Sequence, residues 1–318
     1  MTDTLAPAPP AAPRMSRPRA YAQLAKLRFF DYYLAALVVW TMLPPDERLD
    51  PRVLLTLVVL TLGWVGVCAS AVAFDDVTGF RDGSDLVNYD PAQAQLRNRE
   101  LKPLLDGHLT VRQALGFGYA ALLFGITWAV LGALIAPHRP LWALALLPVL
   151  VGGSVQYSYG LRLSHRYGQE LVLILSTSLV AVIPFGLVHG EMTGLALLES
   201  VLIGLWSVLV SLYSNINDRD GDIASGRKNL ATMLRPPVYA AVIAAFSLAE
   251  TAAILWACAV GAVPWWFLLA LAPVIALRVH QLRTGLLKGQ VLVARKLGGQ
   301  AHRLGVALLL VANLLAVR

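Results

Sequence analysis

The chain has 318 residues, of which 57% are hydrophobic and only 14% are charged, and its mean hydropathy is +0.64. Soluble domains carry roughly 25% charged residues, so this composition excludes an ordinary soluble protein and indicates a helical membrane protein. The formal net charge of +7 would suit nucleic acid, but membrane proteins concentrate Lys and Arg in their cytoplasmic loops. We therefore exclude nucleic acid as a partner and predict membrane lipid as the surroundings.

The N-terminal residues 1–16 are rich in Ala and Pro, which predicts a disordered tail. Residues 17–28 carry several cations and predict an amphipathic segment at the membrane surface. We predict that residues 17–318 form one transmembrane domain.

Apolar runs of transmembrane character then recur along the whole chain. They predict nine helices, near 29–44, 53–75, 111–136, 141–159, 169–189, 194–216, 237–262, 264–278 and 304–317. The predicted fold is therefore all-α, an integral membrane bundle of about nine transmembrane helices around a central cavity. Nine spans place the two termini on opposite sides of the membrane.

The connecting segments fall into a long class and a short class. The long segments lie near 76–110, 160–168, 217–236 and 279–303. Of the 26 Lys and Arg residues, those on the side of the short turns are Arg48, Arg52, Arg139 and Arg318. By the positive-inside tendency, the long segments and the N-terminus face the cytoplasm, across the plasma membrane if the source is bacterial.

An acidic stretch closes the second predicted span. Asp75 and Asp76 stand where the apolar run stops, and Asp82 and Asp85 follow. A carboxylate costs about 2.5–3.5 kcal/mol at the bilayer centre and less near a helix end, so stability alone does not explain an Asp pair here. A bound cation would offset that cost.

A second acidic stretch follows the sixth span, with Asp218, Asp220 and Asp222 ahead of Arg227 and Lys228. Residues four apart share one face of a helix, so Asp218 and Asp222 project together if the helix continues through them. Oxygen ligands favour Mg²⁺ with a phosphate as co-ligand, and the two adjacent cations suit that phosphate. An ordinary solvated loop would explain either stretch alone.

The two stretches together make a stronger case, because both close apolar spans on the same predicted side. If the second and sixth helices face each other across the bundle, their carboxylates meet at one mouth. That arrangement fits a diphosphate bridged by Mg²⁺ above an apolar chamber.

These stretches resemble the two aspartate-rich motifs of the UbiA superfamily of intramembrane prenyltransferases. The first family motif reads roughly NDxxD with a further Asp; Asp76 and Asp85 match its acids, and Asp75 stands at its usual Asn. Gly79 stands at the usual middle Asp, which puts one metal ligand in doubt, and Asp82 is a candidate substitute.

The second family motif reads DxxxD before a Gly, a basic residue and a Thr-Leu-Ala run. The residues in place here are Asn215, Asp218, Asp222, Gly226, Leu230 and Ala231, with Asn229 where Thr is common. Two further segments are similar to family elements and contain Tyr157, Arg162 and Gly168, and Lys102, Pro103, Leu104 and Gly107.

The resemblance implies an Mg²⁺-dependent enzyme that moves a polyprenyl group from its diphosphate to a small acceptor. Only the resemblance, and not the spacing of the residues, indicates that this acceptor is aromatic. The implied metal ligands are Asp75, Asp76, Asp82, Asp85, Asp218 and Asp222. The implied catalytic residues are Asp76, Asp218, Asp222 and Tyr157, and the candidates for binding the diphosphate are Asn215, Arg162, Lys102 and Lys228.

The rings of Tyr157, Tyr159, Tyr213 and Trp206 are candidates to shield an allylic cation. Cations and aromatic rings also suit the membrane interface, and Asn215 equally suits a bond to a neighbouring helix. A terpene cyclase that acts on the prenyl diphosphate alone is the alternative that Gly79 leaves open. A transporter is disfavoured, because the charges lie at the ends of the spans and not near their midplane.

Overall fold

The computed structural model of the protein describes residues 15–27, 33–89 and 98–317. Within these residues the regular structure is entirely helical. The first seven α-helices are α1 (Arg17–Leu24), α2 (Ala35–Met42), α3 (Pro45–Arg48), α4 (Pro51–Arg81), α5 (Ser84–Asn88), α6 (Val111–Ile135) and α7 (Leu141–Gln156). The others are α8 (Gln169–His189), α9 (Gly194–Ala224), α10 (Leu230–Met233), α11 (Pro236–Ala259), α12 (Trp266–Leu282) and α13 (Val291–Ala316).

Shorter helical turns complete the chain. Two are 3-10 turns, Arg99–Leu101 and Leu163–His165, and the π-helical turn Arg283–Leu287 extends α12. The predicted tail at 1–16 lies, except for its last two residues, outside the described residues.

The long helices account for the predicted spans. Seven helices of the described chain, α4, α6, α8, α9, α11, the extended α12 and α13, are long and apolar enough to cross a membrane, and α7 is a shorter apolar helix of 16 residues. The first predicted span, 29–44, begins in residues 28–32, which lie outside the described part. Its described remainder contains α2. The prediction of an all-α membrane bundle with about nine spans is confirmed.

Two helices run well beyond their predicted ends at the acidic side of the bundle. Helices α4 and α9 have 31 residues each, which corresponds to about 46 Å at 1.5 Å per residue, whereas a bilayer core is about 30 Å thick. Both acidic stretches therefore begin on helices that project past the hydrocarbon region.

The predicted loop at 279–303 is wrong. The π turn carries α12 to Leu287, and α13 already begins at Val291. The charges of this segment suggested a loop, but its buried positions recur with helical spacing, at Leu292, Ala294, Gly298 and Ala301. Charge content was therefore a poorer guide here than periodicity.

Helix α9 is the centre of the bundle. It packs against α8, α11 and α13, while α4 packs against α6, α7 and α8. The apolar part of α9 is 78% buried, compared with 17% for α6, so α6 lies at the periphery and presents most of its surface to lipid. Helices α4 and α9 thus belong to opposite parts of the bundle, with α8 between them.

The two ends of the described chain lie at opposite ends of the bundle. Lys26 contacts Asp76 on the acidic side, whereas the Val317 carbonyl accepts a hydrogen bond from Arg48 at the end of α3. This agrees with an odd number of membrane crossings.

The α4–α6 contact depends on glycine. A Cβ atom added at Gly66 would lie 2.7 Å from the Cα atom of Gly125, and one added at Gly63 would lie 2.9 Å from the backbone nitrogen of Ala129. Small residues allow close backbone approach between membrane helices, and no side chain can move aside when the obstacle is backbone.

We expect Gly66→Ala to destabilise the protein by about 1–3 kcal/mol through this overpacking. The matched control is Gly116→Ala on α6, where an added Cβ meets nothing within 4 Å. Thermal unfolding in detergent measures both variants. Equal stability of the two would contradict the close crossing of α4 and α6.

Candidate active site

A buried lysine joins three carboxylates of the first acidic stretch. The Lys102 ammonium lies 2.8 Å from Asp76 Oδ1, 2.9 Å from Asp85 Oδ1 and 3.9 Å from Asp75 Oδ2. Helix α4 supplies Asp75 and Asp76, and α5 supplies Asp85. Lys102 thereby draws the end of α4, the short helix α5 and the loop before α6 into one cluster.

Lys26 completes this cluster from the N-terminal segment, and the sequence analysis did not select it. Its ammonium lies 2.8 Å from Asp76 Oδ2 and also donates to the Leu101 carbonyl. Its backbone φ of +54° is unusual for a residue with a side chain. Lys26 is fifty positions from Asp76 in sequence, so no spacing signal links them.

Gly79 fits against the carboxylate of Asp85. A Cβ atom at position 79 would lie 2.6 Å from Asp85 Oδ2, so Asp85 occupies the space that a side chain at 79 would take. From the sequence, Asp82 was a candidate substitute for the missing acid at this position. In the structure it is Asp85 that fills the place.

Asp82 is instead held by the loop after α7. Its carboxylate accepts a 2.7 Å hydrogen bond from the Ser84 hydroxyl and lies 3.2 Å from His165 Nε2 and 3.4 Å from Arg162 Nη2. Burial alone would raise the pKa of Asp82, but the hydrogen bonds from His165 and Ser84 lower it below its ordinary value. Arg162 thus lies next to Asp82, at the solvent-exposed rim of the cluster of carboxylates and cations.

Arg227 connects the two acidic stretches. Its Nη2 atom lies 3.7 Å from Asp75 Oδ1 and its Nε atom 3.8 Å from Asp222 Oδ1. Because α9 continues to Ala224, Asp218 and Asp222 share a face, and both are buried. The two stretches therefore meet at one end of the bundle.

Lys228, the neighbouring cation, lies outside this cluster. It is exposed, and its ammonium sits 5.4 Å from the ring centroid of Tyr167. Lys228 was the cation predicted to bind the diphosphate, whereas in the structure it is Arg227 that lies against the carboxylates. The chain turns at Gly226, with φ of +75°, just before the two cations, and of these Arg227 faces the carboxylates.

A network of hydrogen-bonded amide side chains holds the Asp222 carboxylate. Asn229 donates to Asp222 Oδ2 at 2.8 Å and to Gln169 Oε1 at 3.1 Å, and Gln169 donates to Asn215 Oδ1 at 2.9 Å. Asn215 therefore bonds the start of α8, which is the helix-to-helix role that the sequence left open. Gln169 and Asn229 were not selected from the sequence.

The aromatic candidates separate into two groups. Tyr157 lies within electrostatic reach of Asp75, Arg227 and Asp222, and its neighbour Ser158 donates a hydrogen bond to Asp75. Tyr159 stacks on the ring of Phe74 at 4.6 Å.

Tyr213 and Trp206, by contrast, are fully buried in the core around α9. Trp206 lies twelve residues before Asp218, about 18 Å along the helix, and its indole donates to Glu250 at 2.9 Å. The structure brings Tyr157 to the acidic end but leaves Trp206 deep in the bundle.

Charge pairing keeps the buried cations ionised. Burial would lower the pKa of Lys102, but Asp76 and Asp85 outweigh it and raise the pKa well above its ordinary value. Burial would likewise lower the pKa of Arg227, and Asp75 and Asp222 raise it. Burial raises the pKa of Asp85 to about 6. Lys102 lowers this pKa, but the nearby carboxylates of Asp76 and Asp75 raise it and offset much of that lowering.

The donor set fits magnesium. In the described part of the chain, no three Asp, Glu, His or Cys side chains are placed to hold a metal ion by themselves. Mg²⁺ is usually bound by one or two carboxylates together with substrate phosphates, so a complete protein cage is not required. The oxygen donors are hard ligands, and the carboxylates here outnumber the lysines and arginines between them, which suits a divalent cation.

This combination of an all-helical membrane bundle and a clustered acidic and basic site at one end defines an intramembrane enzyme. Residues 33–297 match the model of the UbiA prenyltransferase family. The chain belongs to that family.

Solved structures show the same fold. A UbiA homologue from Archaeoglobus fulgidus bound to DMAPP and Mg²⁺ is 12% identical, with a TM-score of 0.64 over 91% of this chain and 99% of that one. An apo UbiA homologue from Aeropyrum pernix K1 is 17% identical, with a TM-score of 0.62 over 95% and 98%. A structure of digeranylgeranylglyceryl phosphate synthase is 12% identical, with a TM-score of 0.61 over 94% and 99%. No curated protein matches the chain.

We expect Lys102→Met to lower the free energy of unfolding by about 3–5 kcal/mol, because it leaves Asp76 and Asp85 buried without their shared cation. Arg99→Met is the control in the same loop. Arg99 pairs with Asp106 at 2.8 Å, but both side chains are about one-third exposed, and such pairs contribute about 0–1 kcal/mol. Chemical unfolding in detergent measures the free energy of unfolding of both variants. Similar losses of stability would contradict the conclusion that Lys102 compensates two buried carboxylates.

Proposed function

We propose that the protein is an Mg²⁺-dependent prenyltransferase that moves a prenyl group from its diphosphate to a small acceptor. The observation that carries this proposal is the contact of Arg227 with both Asp75 and Asp222. It supports a single binding site made from two acidic segments far apart in sequence. The A. fulgidus homologue, which is bound to DMAPP and Mg²⁺, supports the donor class.

The carboxylates of the two acidic stretches would hold the metal. These are Asp75, Asp76 and Asp85 on one side and Asp218 and Asp222 on the other, with Asp82 at the rim. When bound, Mg²⁺ supplies Lewis-acid polarisation of the diphosphate and stabilises the departing negative charge. The space beside Gly79 is filled by the carboxylate of Asp85, which is itself one of the acids of the first motif.

The cations of the site would bind the diphosphate oxygens. Arg227, Lys102 and Lys26 now lie against carboxylates, and they are the charged donors closest to the proposed position of the diphosphate. Charge-assisted hydrogen bonds from such groups are strong and directional. Arg162 would act at the rim, and Lys228 would remain outside.

The transfer breaks the bond between the prenyl C1 atom and its oxygen, and the electron pair leaves with the diphosphate. A nucleophilic carbon of the acceptor then bonds to C1 and loses a proton. The Tyr157 ring, whose hydroxyl lies within electrostatic reach of Asp75 and Arg227, would stabilise positive charge on the allylic carbons, at about 0.5–2 kcal/mol. An aromatic acceptor would provide such a carbon, and this part of the proposal rests on the family.

The site would face the cytoplasm. The segments on the acidic side contain most of the Lys and Arg residues, whereas the opposite side has short turns. The positive-inside tendency therefore supports a cytoplasmic site and N-terminus.

The experiment is incubation of purified protein with geranyl, farnesyl and geranylgeranyl diphosphates, with and without Mg²⁺ and candidate phenols. We expect Mg²⁺-dependent diphosphate release and a prenylated phenol. Asp222→Asn should lower turnover at least about 100-fold, a change of about 2.7 kcal/mol. Asp220→Asn, exposed on the same helix, should leave it unchanged.

Two results would overturn the proposal. Release of diphosphate with a cyclic hydrocarbon as product, and no need for an acceptor, would identify a cyclase. Absence of Mg²⁺-dependent turnover with every donor would remove the enzyme activity proposed.

The pair Arg227 and Lys228 tests the position of the diphosphate. We expect Arg227→Gln to raise KM for the donor at least about tenfold, since a charge-assisted bond is worth about 1.5–3 kcal/mol. Lys228→Gln should change KM less than about twofold, because its ammonium lies over Tyr167. Steady-state kinetics measure KM for both variants, provided that their thermal unfolding profiles are intact. A larger rise in KM for Lys228→Gln than for Arg227→Gln would contradict the assignment of the diphosphate to Arg227.

A further inference from the structure

A polar pocket of about 390 Å³ lies between the turn that joins α6 to α7 and the turn that joins α8 to α9. We call it the turn pocket, and its lining residues are His138, Arg139, Pro140, His189, Gly190 and Glu191. Helix α8 begins beside the acidic site and ends at this pocket. The turn pocket is therefore at the opposite end of the bundle, and the function proposed above makes no use of it.

Hydrogen bonds to the backbone hold the α6–α7 side of the turn pocket. The Arg52 guanidinium, at the start of α4, donates to the carbonyls of Ile135 and Ala136 at 2.6 and 3.0 Å. The backbone N–H of His138 donates to the Leu187 carbonyl of α8 at 3.1 Å. This turn is thus fixed to two neighbouring helices.

The α8–α9 side is held by a side-chain contact and by a glycine. His189 Nδ1 lies 2.9 Å from Glu47 Oε2, so α3 fixes the position of the imidazole. Gly190 has a φ of +92°, and a Cβ atom there would lie 3.0 Å from the ring of His138. The glycine therefore lets the two turns meet, and the pocket between them is a built feature of the fold.

Two opposite charges line the turn pocket without pairing. Arg139 comes from one turn and Glu191 from the other, and both are exposed. Within the described residues, neither side chain forms an ion pair or a hydrogen bond. A ligand that carries both an anionic and a cationic group would pair with both, whereas a simple anion or a simple cation would leave one of them unpaired.

The surface beside the turn pocket is apolar. Leu134, near the end of α6, is 59% exposed, and Leu141, at the start of α7, is 80% exposed. The ends of membrane-spanning helices lie at the level of the lipid headgroups. A molecule with a zwitterionic head and hydrocarbon tails therefore matches both the pocket and the surface next to it.

We propose that the turn pocket binds the headgroup of a zwitterionic phospholipid with a primary amine, phosphatidylethanolamine. Arg139 binds the phosphate through charge-assisted hydrogen bonds, and Glu191 binds the ammonium. A choline headgroup carries the same two charges, but its methylated nitrogen has no N–H to donate to Glu191. The acyl chains extend over Leu134 and Leu141. This inference does not depend on the proposed function.

The test is native mass spectrometry of the detergent-purified protein with phosphatidylethanolamine and phosphatidylcholine of identical acyl chains. We expect the ethanolamine lipid to be retained at least about threefold more than the choline lipid, which is the size of effect expected from one solvent-accessible charge pair. Equal retention of the two lipids by the unaltered protein would overturn the proposal.

Two variants separate the roles of the two charges. Glu191→Gln should remove the preference for the ethanolamine lipid, because the amide keeps the shape of the side chain and loses the charge that attracts the ammonium. Arg139→Gln should lower retention of both lipids, since both contain a phosphate. The matched control is Asp46→Asn, an exposed carboxylate of α3 that does not line the pocket, and it should keep the preference.

A preference that survives Glu191→Gln, or that is lost equally in Asp46→Asn, would contradict the assignment. Thermal unfolding checks that the variants are folded, and Arg139→Gln decides the matter independently if Glu191→Gln is not. Soluble phosphoethanolamine distinguishes a lipid site from a site for a free zwitterion. At a concentration equal to that of the lipid it should leave the lipid bound, because it lacks the acyl chains, and complete displacement would overturn the assignment to a lipid.

Discussion

The compensation of buried carboxylates by buried cations is the constraint on which the site end of the structure depends. Carboxylates that leave water lose several kcal/mol of solvation each unless a partner is near. Lys26, Lys102 and Arg227 supply those partners, and Lys26 and Lys102 come from segments that contribute no acid to the two motifs. Pairing therefore brings the N-terminal segment, the loop before α6 and the loop after α9 to one place.

The same constraint bears on how the proposed site would bind a polyanion. The cations are already ordered by the carboxylates, so a diphosphate with its metal would meet donors whose positions are set, and less ordering cost would fall on binding. The length of α4 and α9 keeps this charged assembly beyond the hydrocarbon core.

Individual residues illustrate how far local pattern predicts the site. Asp218 and Asp222 were selected by their spacing of four, and the helix does continue through them. Arg227 and Lys228 are adjacent and chemically alike, and only the folded structure shows that Arg227 faces the carboxylates while Lys228 lies over Tyr167. Gly79 could be seen as a departure from the family motif, but its close contact with Asp85 required coordinates. Lys26 had no signal, because its partner is fifty positions away.

The sequence by itself determined the membrane class, the all-helical fold and the two acidic segments, because hydropathy and spacing are local properties of the chain. Its local reading failed at 279–303, where charges on one face of a helix looked like a loop. Only the tertiary structure decided which cation meets which carboxylate and which glycine makes room for which neighbour. These are contacts between distant segments, and they depend on how the helices pack and not on the order of residues along any one of them.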